Sequence, residues 1–307
     1  MNDPTSAILD AWDFEDPARS AARFDALAAD WERAGDALAA AEFRTQQARA
    51  MGLLRRFDEA DSLLDGVEAA LGGSGAAACR GPDAIRPHVR LLLERGRVKN
   101  SSGRAAEAAP LFERAWDVAR AAEAGAALDG LAVDAAHMCA IVAGPGQAME
   151  WNRRALGLAE SSPNPDARRW RASLLNNIGW TMFAAGDHAA ALTHFQRALA
   201  ARVEQGIDGK GRGAWLVARW CIARTQRALG RTAEALAAQQ ALLAEHARSG
   251  TSDGFVHEEL AECLLTLGRG SESRPHFAAA YELLSRDPWF AEREPERIRR
   301  SKELARM

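Results

Sequence analysis

Apolar residues recur along most of this chain at intervals of three and four, which is the period of an amphipathic α-helix. The stretch 172–199 shows the pattern most clearly. One apolar run ends at Gly186-Asp187, and a second follows through Ala191, Phe195 and Ala198. Glycine can close one helix and aspartate can cap the next. Because no segment shows the alternation of a strand, the pattern predicts an all-α chain built from antiparallel helix pairs.

The helix pair repeats along the sequence. Equivalent small residues of the second helix fall at Ala60, Ala108, Ala148, Ala191, Ala235 and Ser273. Segments rich in glycine, serine and proline separate the pairs, at 72–75, 161–165, 206–213 and 249–254. We therefore expect about six stacked helix pairs. In such an array each unit packs on its neighbours, so 307 residues can form one domain.

This repeat resembles the tetratricopeptide repeat. That family has Gly or Ala at its eighth place, often Gly at the fifteenth, Ala at the twentieth, an aromatic residue at the twenty-fourth and Ala at the twenty-seventh. The matching residues here are Gly179, Gly186, Ala191, Phe195 and Ala198. The resemblance implies a right-handed α-α superhelix, a tetratricopeptide-like solenoid. The repeat of about 40 residues is similar to the long-repeat variants of kinesin light chains and bacterial regulators.

The expected organisation is a single solenoid domain over residues 1–307. N-terminal capping helices occupy 1–36, repeats occupy 37–285, and a C-terminal capping helix occupies 286–307. Asp16-Pro17 is a good helix start, and Gly35-Asp36 should end that helix and begin the next.

Composition and charge limit the classes of partner that the protein is expected to bind. The chain is 48% hydrophobic with a net charge of −3, so nothing draws it generally to nucleic acid or to an anionic membrane. The most apolar stretch, 131–142, is interrupted by Asp134 and His137, and the N-terminus lacks the features of a signal peptide. Four widely spaced cysteines suggest reduced, buried thiols. We expect a cytoplasmic protein that binds neither membrane nor nucleic acid.

The resemblance places the first helix of each pair on the concave surface, with its fifth, sixth and ninth residues toward the groove. From these places we predict the ligand-binding residues Arg97, Asp134, His137, Asn177, Trp180, Trp220 and Arg224. Large aromatic residues facing solvent are common binding anchors. The alternative for the two tryptophans is that they are core residues of lengthened helices.

The resemblance also suggests a carboxylate clamp for a peptide C-terminus. Asn177 matches the clamp amide, and Arg97 and Arg224 occupy ninth places. No lysine stands at any fifth place, so the clamp is incomplete and an arginine-lined anion site is the remaining form. If protonated His137 contributes, affinity for an anion should fall as the pH rises through ~6.5.

Signals for chemistry are weaker. Asp134 and His137 lie three residues apart on one helix, a spacing that suits a general base. His257-Glu258 begins like a zinc-protease helix, but Ala261 replaces the second histidine. We predict no metal and no cofactor. The sequence favours a scaffold that holds a peptide or protein segment. The alternatives are a small-molecule-binding or catalytic solenoid using Asp134, His137 and the tryptophans, and a regulator whose output domain lies on another chain.

Overall fold

The computed structural model describes residues 4–72, 82–207, 209 and 211–306. These residues are almost entirely helical, and none of them lies in a β-strand. The chain divides into two compact units, Met1–Leu174 and Leu175–Met307. The fold class predicted from the sequence, an all-α helical solenoid, is confirmed.

The first unit contains nine α-helices among the described residues and the start of a tenth. They are α1 (Pro4–Ala11), α2 (Pro17–Arg33), α3 (Ala37–Leu53), α4 (Phe57–Ala70), α5 (Pro82–Ser101), α6 (Ala105–Ala119), α7 (Asp129–Val142), α8 (Pro145–Ser161), α9 (Pro165–Arg169) and the beginning of α10 (Arg171–Ala184). A 3-10 segment, Ala122–Leu128, precedes α7.

The second unit continues the alternation of long helices and ends with two short ones. Its elements are the rest of α10, then α11 (His188–Gln205), α12 (Gly211–Ala228), α13 (Thr232–Arg248), α14 (Gly254–Thr266), α15 (Gly270–Leu284), α16 (Pro288–Arg293) and α17 (Pro295–Leu304). Six pairs therefore follow one another, α3/α4, α5/α6, α7/α8, α10/α11, α12/α13 and α14/α15. The register residues Ala60, Ala108, Ala148, Ala191, Ala235 and Ser273 are each the fourth residue of a second helix.

Close packing within a pair depends on the residue at the eighth place of the repeat, which lies on the first helix of the pair. A Cβ added at Gly179 would lie 2.6 Å from the buried ring of Phe195, and one added at Gly96 would lie 2.4 Å from Phe112. No real contact is that short, so the aromatic ring of the second helix fills the space that glycine leaves open. The match of small and aromatic residues read from the sequence is thus a packing requirement.

Turns within a pair also follow the sequence. Gly186 has φ 80°, in the left-handed region that favours glycine, and Asp187 accepts a hydrogen bond from the Ala190 amide at 2.9 Å. The same device joins α2 to α3 at Gly35-Asp36. Between α3 and α4 the equivalent position is Arg55, with φ 61°.

Several boundaries differ from those expected. Gly211 and Gly213 lie inside α12, although 206–213 was read as a loop. The expected C-terminal helix is two helices, because the chain leaves helical geometry at Glu294 and Pro295 begins a new first turn. Part of the loop at 72–75 and Cys79 lie outside the described residues.

One described segment, 125–142, is apolar and long enough to pass a composition test for a membrane span, with mean hydropathy 1.4. We expected no such segment from the sequence. It passes because Asp129 and Asp134 are its only charged residues. Most of it is α7, which packs between α6 and α8, and 61% of the segment is buried inside the protein.

Candidate binding faces on the first helices

In the first unit, the face of α5 and α7 carries buried opposite charges. Arg97 donates hydrogen bonds to Glu94, at 2.7 Å, and to Asp134. Both carboxylates are almost inaccessible to solvent. Burial by itself would lower the pKa of Arg97, but the two carboxylates outweigh burial and raise that pKa above its ordinary value. Arg97 is therefore a fixed cation with two internal partners.

The network continues onto α3 and the segment before α2. Gln46 donates to Glu94 Oε1 at 3.2 Å and accepts from the Trp12 indole N–H at 3.1 Å. The Arg49 guanidinium lies 5.3 Å from the Trp12 ring centre, and its nearest Glu94 oxygen is 3.9 Å away. Burial and the neighbouring Arg97 lower the pKa of Arg49. A continuous polar layer thus joins α3, α5 and α7. We name it the charge network and define it by Gln46, Arg49, Glu94, Arg97 and Asp134.

His137 lies beside the charge network, with its ring 5.2 Å from the ring of Trp170. Burial lowers the pKa of His137; Asp134 opposes this shift and Arg97 adds to it. The imidazole is therefore mostly neutral near pH 6.5. A contribution of charged His137 to anion binding would appear only at lower pH than we expected from the sequence.

The general-base role suggested for Asp134 and His137 has little support in this arrangement. Burial would raise the pKa of the Asp134 carboxyl, yet the charges of Arg97 and Arg49 and the hydrogen bond from Arg97 together outweigh burial and hold that pKa below its ordinary value. A histidine base is helped by a neighbouring acid that raises its pKa, whereas Asp134 is engaged with Arg97 and the net shift of the His137 pKa is downward.

In the second unit, the first helices carry aromatic rings in contact. Trp180 on α10 lies 5.3 Å from Phe183 and 5.9 Å from Trp220 on α12, measured between ring centres. Trp220 lies 5.8 Å from Phe255 on α14, which lies 5.2 Å from Phe290 on α16. We call these five side chains the aromatic row. Phe290 is buried and the other four are half-buried, so the row combines core packing with an accessible edge.

A hydrogen bond fixes the middle of the row. The Trp220 indole N–H donates to the Phe255 carbonyl oxygen at 3.1 Å. Trp180 also packs on Phe195 of α11, with ring centres 5.2 Å apart. Each tryptophan therefore has a defined orientation and little conformational freedom left to lose on binding.

Arginines cover the aromatic row. Arg224 lies 5.7 Å from the Phe183 ring centre and 5.4 Å from that of Trp220, within cation–π range. It donates to Glu259, which also accepts two hydrogen bonds from Arg227. Arg297 of α17 repeats the arrangement over Phe255 and Phe290, at 5.6 and 5.3 Å, and Glu258 holds it at 2.6 Å.

The seven residues predicted from the sequence fall into two groups. Arg97, Asp134 and His137 meet in the first unit. In the second unit Trp180, Trp220 and Arg224 belong to one cluster, and Asn177 is half-buried one turn before Trp180 on α10. A continuous surface over all seven stays a prediction.

Two aspects of the sequence reading need correction. The fifth places of the first unit, Thr45, Leu93 and Val133, are buried and do not face a groove. Phe290 and Arg297 were missed because α16 and α17 lie beyond the last repeat and carry no repeat register. Phe255 was missed because it is in the first turn of α14, before the places predicted to face the groove. The one available signal was arginine recurring near aromatic residues at the C-terminus.

Metal and thiol chemistry have no evident place in the described part of the chain. There, no three histidine, cysteine or acidic side chains are grouped so as to hold a metal ion. Cys139, Cys221 and Cys263 are free and buried, and burial raises the pKa of each thiol to about 12.

Comparison with known proteins agrees with this geometry. Residues 131–202 match the tetratricopeptide repeat family. No curated protein sequence matches the chain. The fold is similar to BtubC (BKLC) from P. vanneervenii, with TM-score 0.59 and 18% identity over 82% of this chain and 94% of that one.

Two further structures share the fold. A chain of the APC/C hetero-tetramer Cut9–Hcn1 gives TM-score 0.58 and 13% identity, over 92% of this chain and 46% of that one. Aspartyl phosphate phosphatase F from Bacillus subtilis gives TM-score 0.53 and 12% identity, over 89% and 73%. At these identities the likeness concerns the fold.

Fold and helix register together define an all-α helical-repeat protein. Residues 131–202 match the tetratricopeptide repeat by sequence, and the other helix pairs keep the same register of second-helix residues.

Proposed function

We propose that this protein is an interaction scaffold, and that its second unit holds a peptide or protein segment against the aromatic row. The observation that carries the proposal is the row itself: four half-buried rings on α10, α12 and α14, in mutual contact, with arginines over them. Rigid aromatic side chains and arginine are the residues most enriched among binding hot spots. Repeat units align such residues along a surface, as an extended ligand requires.

The charges around the row favour an acidic segment. Arg224, Arg227, Arg297 and Arg300 face Glu258, Glu259 and Glu262, so cations outnumber carboxylates by one. Each arginine donates to a carboxylate through part of its guanidinium and keeps other N–H groups. Guanidinium N–H groups held in place over aromatic rings suit carboxylates of a ligand. We therefore propose a segment with large apolar side chains next to Asp or Glu.

The charge network of the first unit is a less suitable site for an acidic ligand than the aromatic row. Arg97, one of the two arginines predicted to meet an anion, already contacts two buried carboxylates. A ligand carboxylate would have to displace Asp134 or Glu94 there. The small-molecule or catalytic alternative depends on Asp134, His137 and the tryptophans, and Asp134 is already bound by Arg97.

The compartment is also a proposal. Free, buried cysteines in both units support a protein that works in a reducing environment such as the cytoplasm.

Selection from a random-peptide display library on the full chain tests the proposed function. We expect enriched peptides with one or two large apolar residues flanked by acids. Trp220→Ala and Trp180→Ala should each weaken binding of a selected peptide by at least about tenfold, a typical hot-spot loss.

Trp289→Ala is the matched control. Trp289 is also a tryptophan of the second unit with an arginine over its ring, but it is 61% exposed and lies outside the row. It should leave affinity unchanged. Equal losses for Trp220→Ala and Trp289→Ala, or full affinity in both row variants, would contradict the proposal, provided the melting temperatures show that all variants are folded.

A further inference from the structure

Two histidines of the last helix pair face each other in an unusual way. His257 on α14 and His276 on α15 are both half-buried, and their Nδ1 atoms are 3.0 Å apart. Their ring centres are 5.3 Å apart. The distance between the ring centres is longer than the distance between the Nδ1 atoms by about two ring radii. Both Nδ1 atoms therefore lie close to the line that joins the two ring centres. This is the geometry of an N–H···N hydrogen bond, in which one imidazole donates and the other accepts.

Three polar residues close to His257 bear on the state of the pair. Ser252 Oγ lies 3.5 Å from His257 Nε2. Asp253 favours the charged form of His257, and His246 of α13 disfavours it. Both are already engaged: Asp253 accepts from the first amides of α14, and His246 Nδ1 lies 3.0 Å from Thr251 Oγ1.

Charged groups on the other packed helices are paired elsewhere. Arg224 and Arg227 of α12 bind Glu259, Arg297 of α17 binds Glu258, and Arg300 binds Glu262. At 100° per residue, Glu259 and Glu262 lie on roughly the opposite side of α14 from His257. On α15, Glu272 pairs with Arg269 and Glu282 with Arg286. After burial, His276 itself has the largest effect on the pKa of His257, followed by Asp253 and His246, whereas burial acts on His276.

The number of protons on the two rings decides whether this contact is held or opened. With no added proton, the pair is neutral and joined by one hydrogen bond. With one added proton, an imidazolium donates to a neutral imidazole and the bond becomes charge-assisted. With two, both nitrogens are donors and two cations stand 3.0 Å apart, so the contact cannot persist.

Opening the contact would reach the aromatic row through α14. His257 is in the first turn of that helix, two residues after Phe255, whose carbonyl oxygen binds the Trp220 indole. A helical first turn moves as one body, because its amides are capped together by Asp253. A displacement at His257 therefore displaces the acceptor of Trp220.

We propose that the His257–His276 contact is a pH-sensitive switch: it holds the first turn of α14 against α15 while no more than one ring is protonated, and it opens on the second protonation, loosening the aromatic row at Phe255. This inference does not rest on the proposed peptide binding. The switch would keep the aromatic row rigid at neutral pH and let it move in acid.

Lowered pKa values for both rings agree with the switch; burial is the largest cause for each. The sign follows directly. When the folded-state pKa of a histidine lies below its unfolded value, stability is fully present above ~6.5 and is lost as the pH falls from there to the folded-state pKa.

Histidine titration by NMR on the full chain, with resonances assigned from single substitutions, tests the pair. We expect His257 and His276 to titrate as a coupled pair in two separate steps, the second well below the usual histidine range. In His276→Gln, the glutamine oxygen can still accept from His257 Nδ1–H, so His257 should titrate in one step at higher pH. Independent titration of both rings near ~6.5 in the wild type would overturn the proposal.

A second measurement keeps the test valid if one variant folds poorly. Between pH 7.5 and 5, the protection factors of the α14 amides, which are exchange rates corrected for the intrinsic pH dependence, should fall, and the Tm should fall in the wild type. His276→Gln and His257→Gln should each remove part of that fall, by about 2–4 °C. His194→Gln, on α11 of the same unit, is the control and should behave as wild type. Unchanged α14 protection factors across this pH range, or the same Tm profile in all three variants, would refute the switch.

Discussion

The two units share a packing scheme but present different chemistry on their first helices. In both, a small residue at the eighth place lets a second-helix phenylalanine pack closely, as Gly96 does for Phe112 and Gly179 for Phe195. The first unit has the charge network, in which Arg97 is bound between two buried carboxylates and Arg49 lies over the Trp12 ring. The second unit has the aromatic row, in which Arg224 and Arg297 lie over several rings, each held by one buried carboxylate. The repeat therefore fixes the packed positions and leaves the neighbouring positions free for a partner.

The largest expected effect separates the two kinds of arginine. Arg97→Leu should destabilise the protein by about 3–5 kcal/mol, because buried Asp134 and Glu94 both lose the cation that donates to them and keep only the more distant Arg49. Arg224→Leu should cost only ~1 kcal/mol, since Glu259 keeps Arg227. Chemical denaturation of the two variants at pH 7 measures both. Similar losses would mean that the arginines of the two units have the same role.

Acid should reduce the cost of Arg97→Leu. Arg97 holds the pKa of Asp134 low, so the pair stabilises the wild type above the ordinary aspartate range, and that stabilisation is lost as the pH falls through the folded-state pKa. The difference between wild type and variant should thus stay constant from pH 7 to ~4 and shrink as the pH falls further, through the folded-state pKa of Asp134. A difference that is also constant below ~4 would argue against an electrostatic origin.

Packing at the eighth place should be equally demanding in both units. Gly96→Ala and Gly179→Ala should each cost about 1–3 kcal/mol, because the added methyl group meets a buried phenylalanine ring. Gly213→Ala is the control: its Cβ would meet nothing within 4 Å, and alanine favours the helix by ~1 kcal/mol. Thermal unfolding of the three variants would show whether the eighth place is special.

The fifth repeat contains a position where the scheme is broken. Gln239 of α13 is fully buried, and neither its amide nitrogen nor its oxygen has a hydrogen-bond partner. Equivalent places hold Phe112, Phe195 and Phe277. Gln239→Leu should raise the free energy of unfolding by about 1–2 kcal/mol, by removing an unsatisfied amide. A loss of stability in denaturant titration would instead show that the amide is satisfied, for example by water.

The smallest expected gain in stability is at the turn between α3 and α4, the first pair of repeat helices. Arg55 takes the left-handed conformation that glycine takes at Gly186. Arg55→Gly should stabilise the first unit by ~1 kcal/mol, the approximate cost of that conformation for a residue with a side chain. Gly186→Arg, the reverse change in the second unit, should cost about as much.

Much of the fold was predictable because its determinants are local. Gly186-Asp187 encodes a turn in two adjacent residues, and Gly179 with Phe195 encodes the crossing of neighbouring helices. The candidate site was less predictable. Trp180 and Trp220 were found from register, but Asp134 lies 37 residues from Arg97 and Glu259 lies 35 residues from Arg224, and both contacts depend on side-chain conformation. Phe290 and Arg297 escaped because they follow the last repeat.

The central claim is that the aromatic row is the ligand-binding face, and one measurement tests it most directly. Indole N–H resonances of all nine tryptophans can be followed by NMR while a library-selected peptide is added to the full chain. We predict that Trp180 and Trp220 shift, whereas Trp116 and Trp151 on second helices and the exposed Trp289 do not. Shifts of Trp12 or Trp170, beside the charge network, with Trp180 and Trp220 unchanged, would contradict the claim and place binding in the first unit.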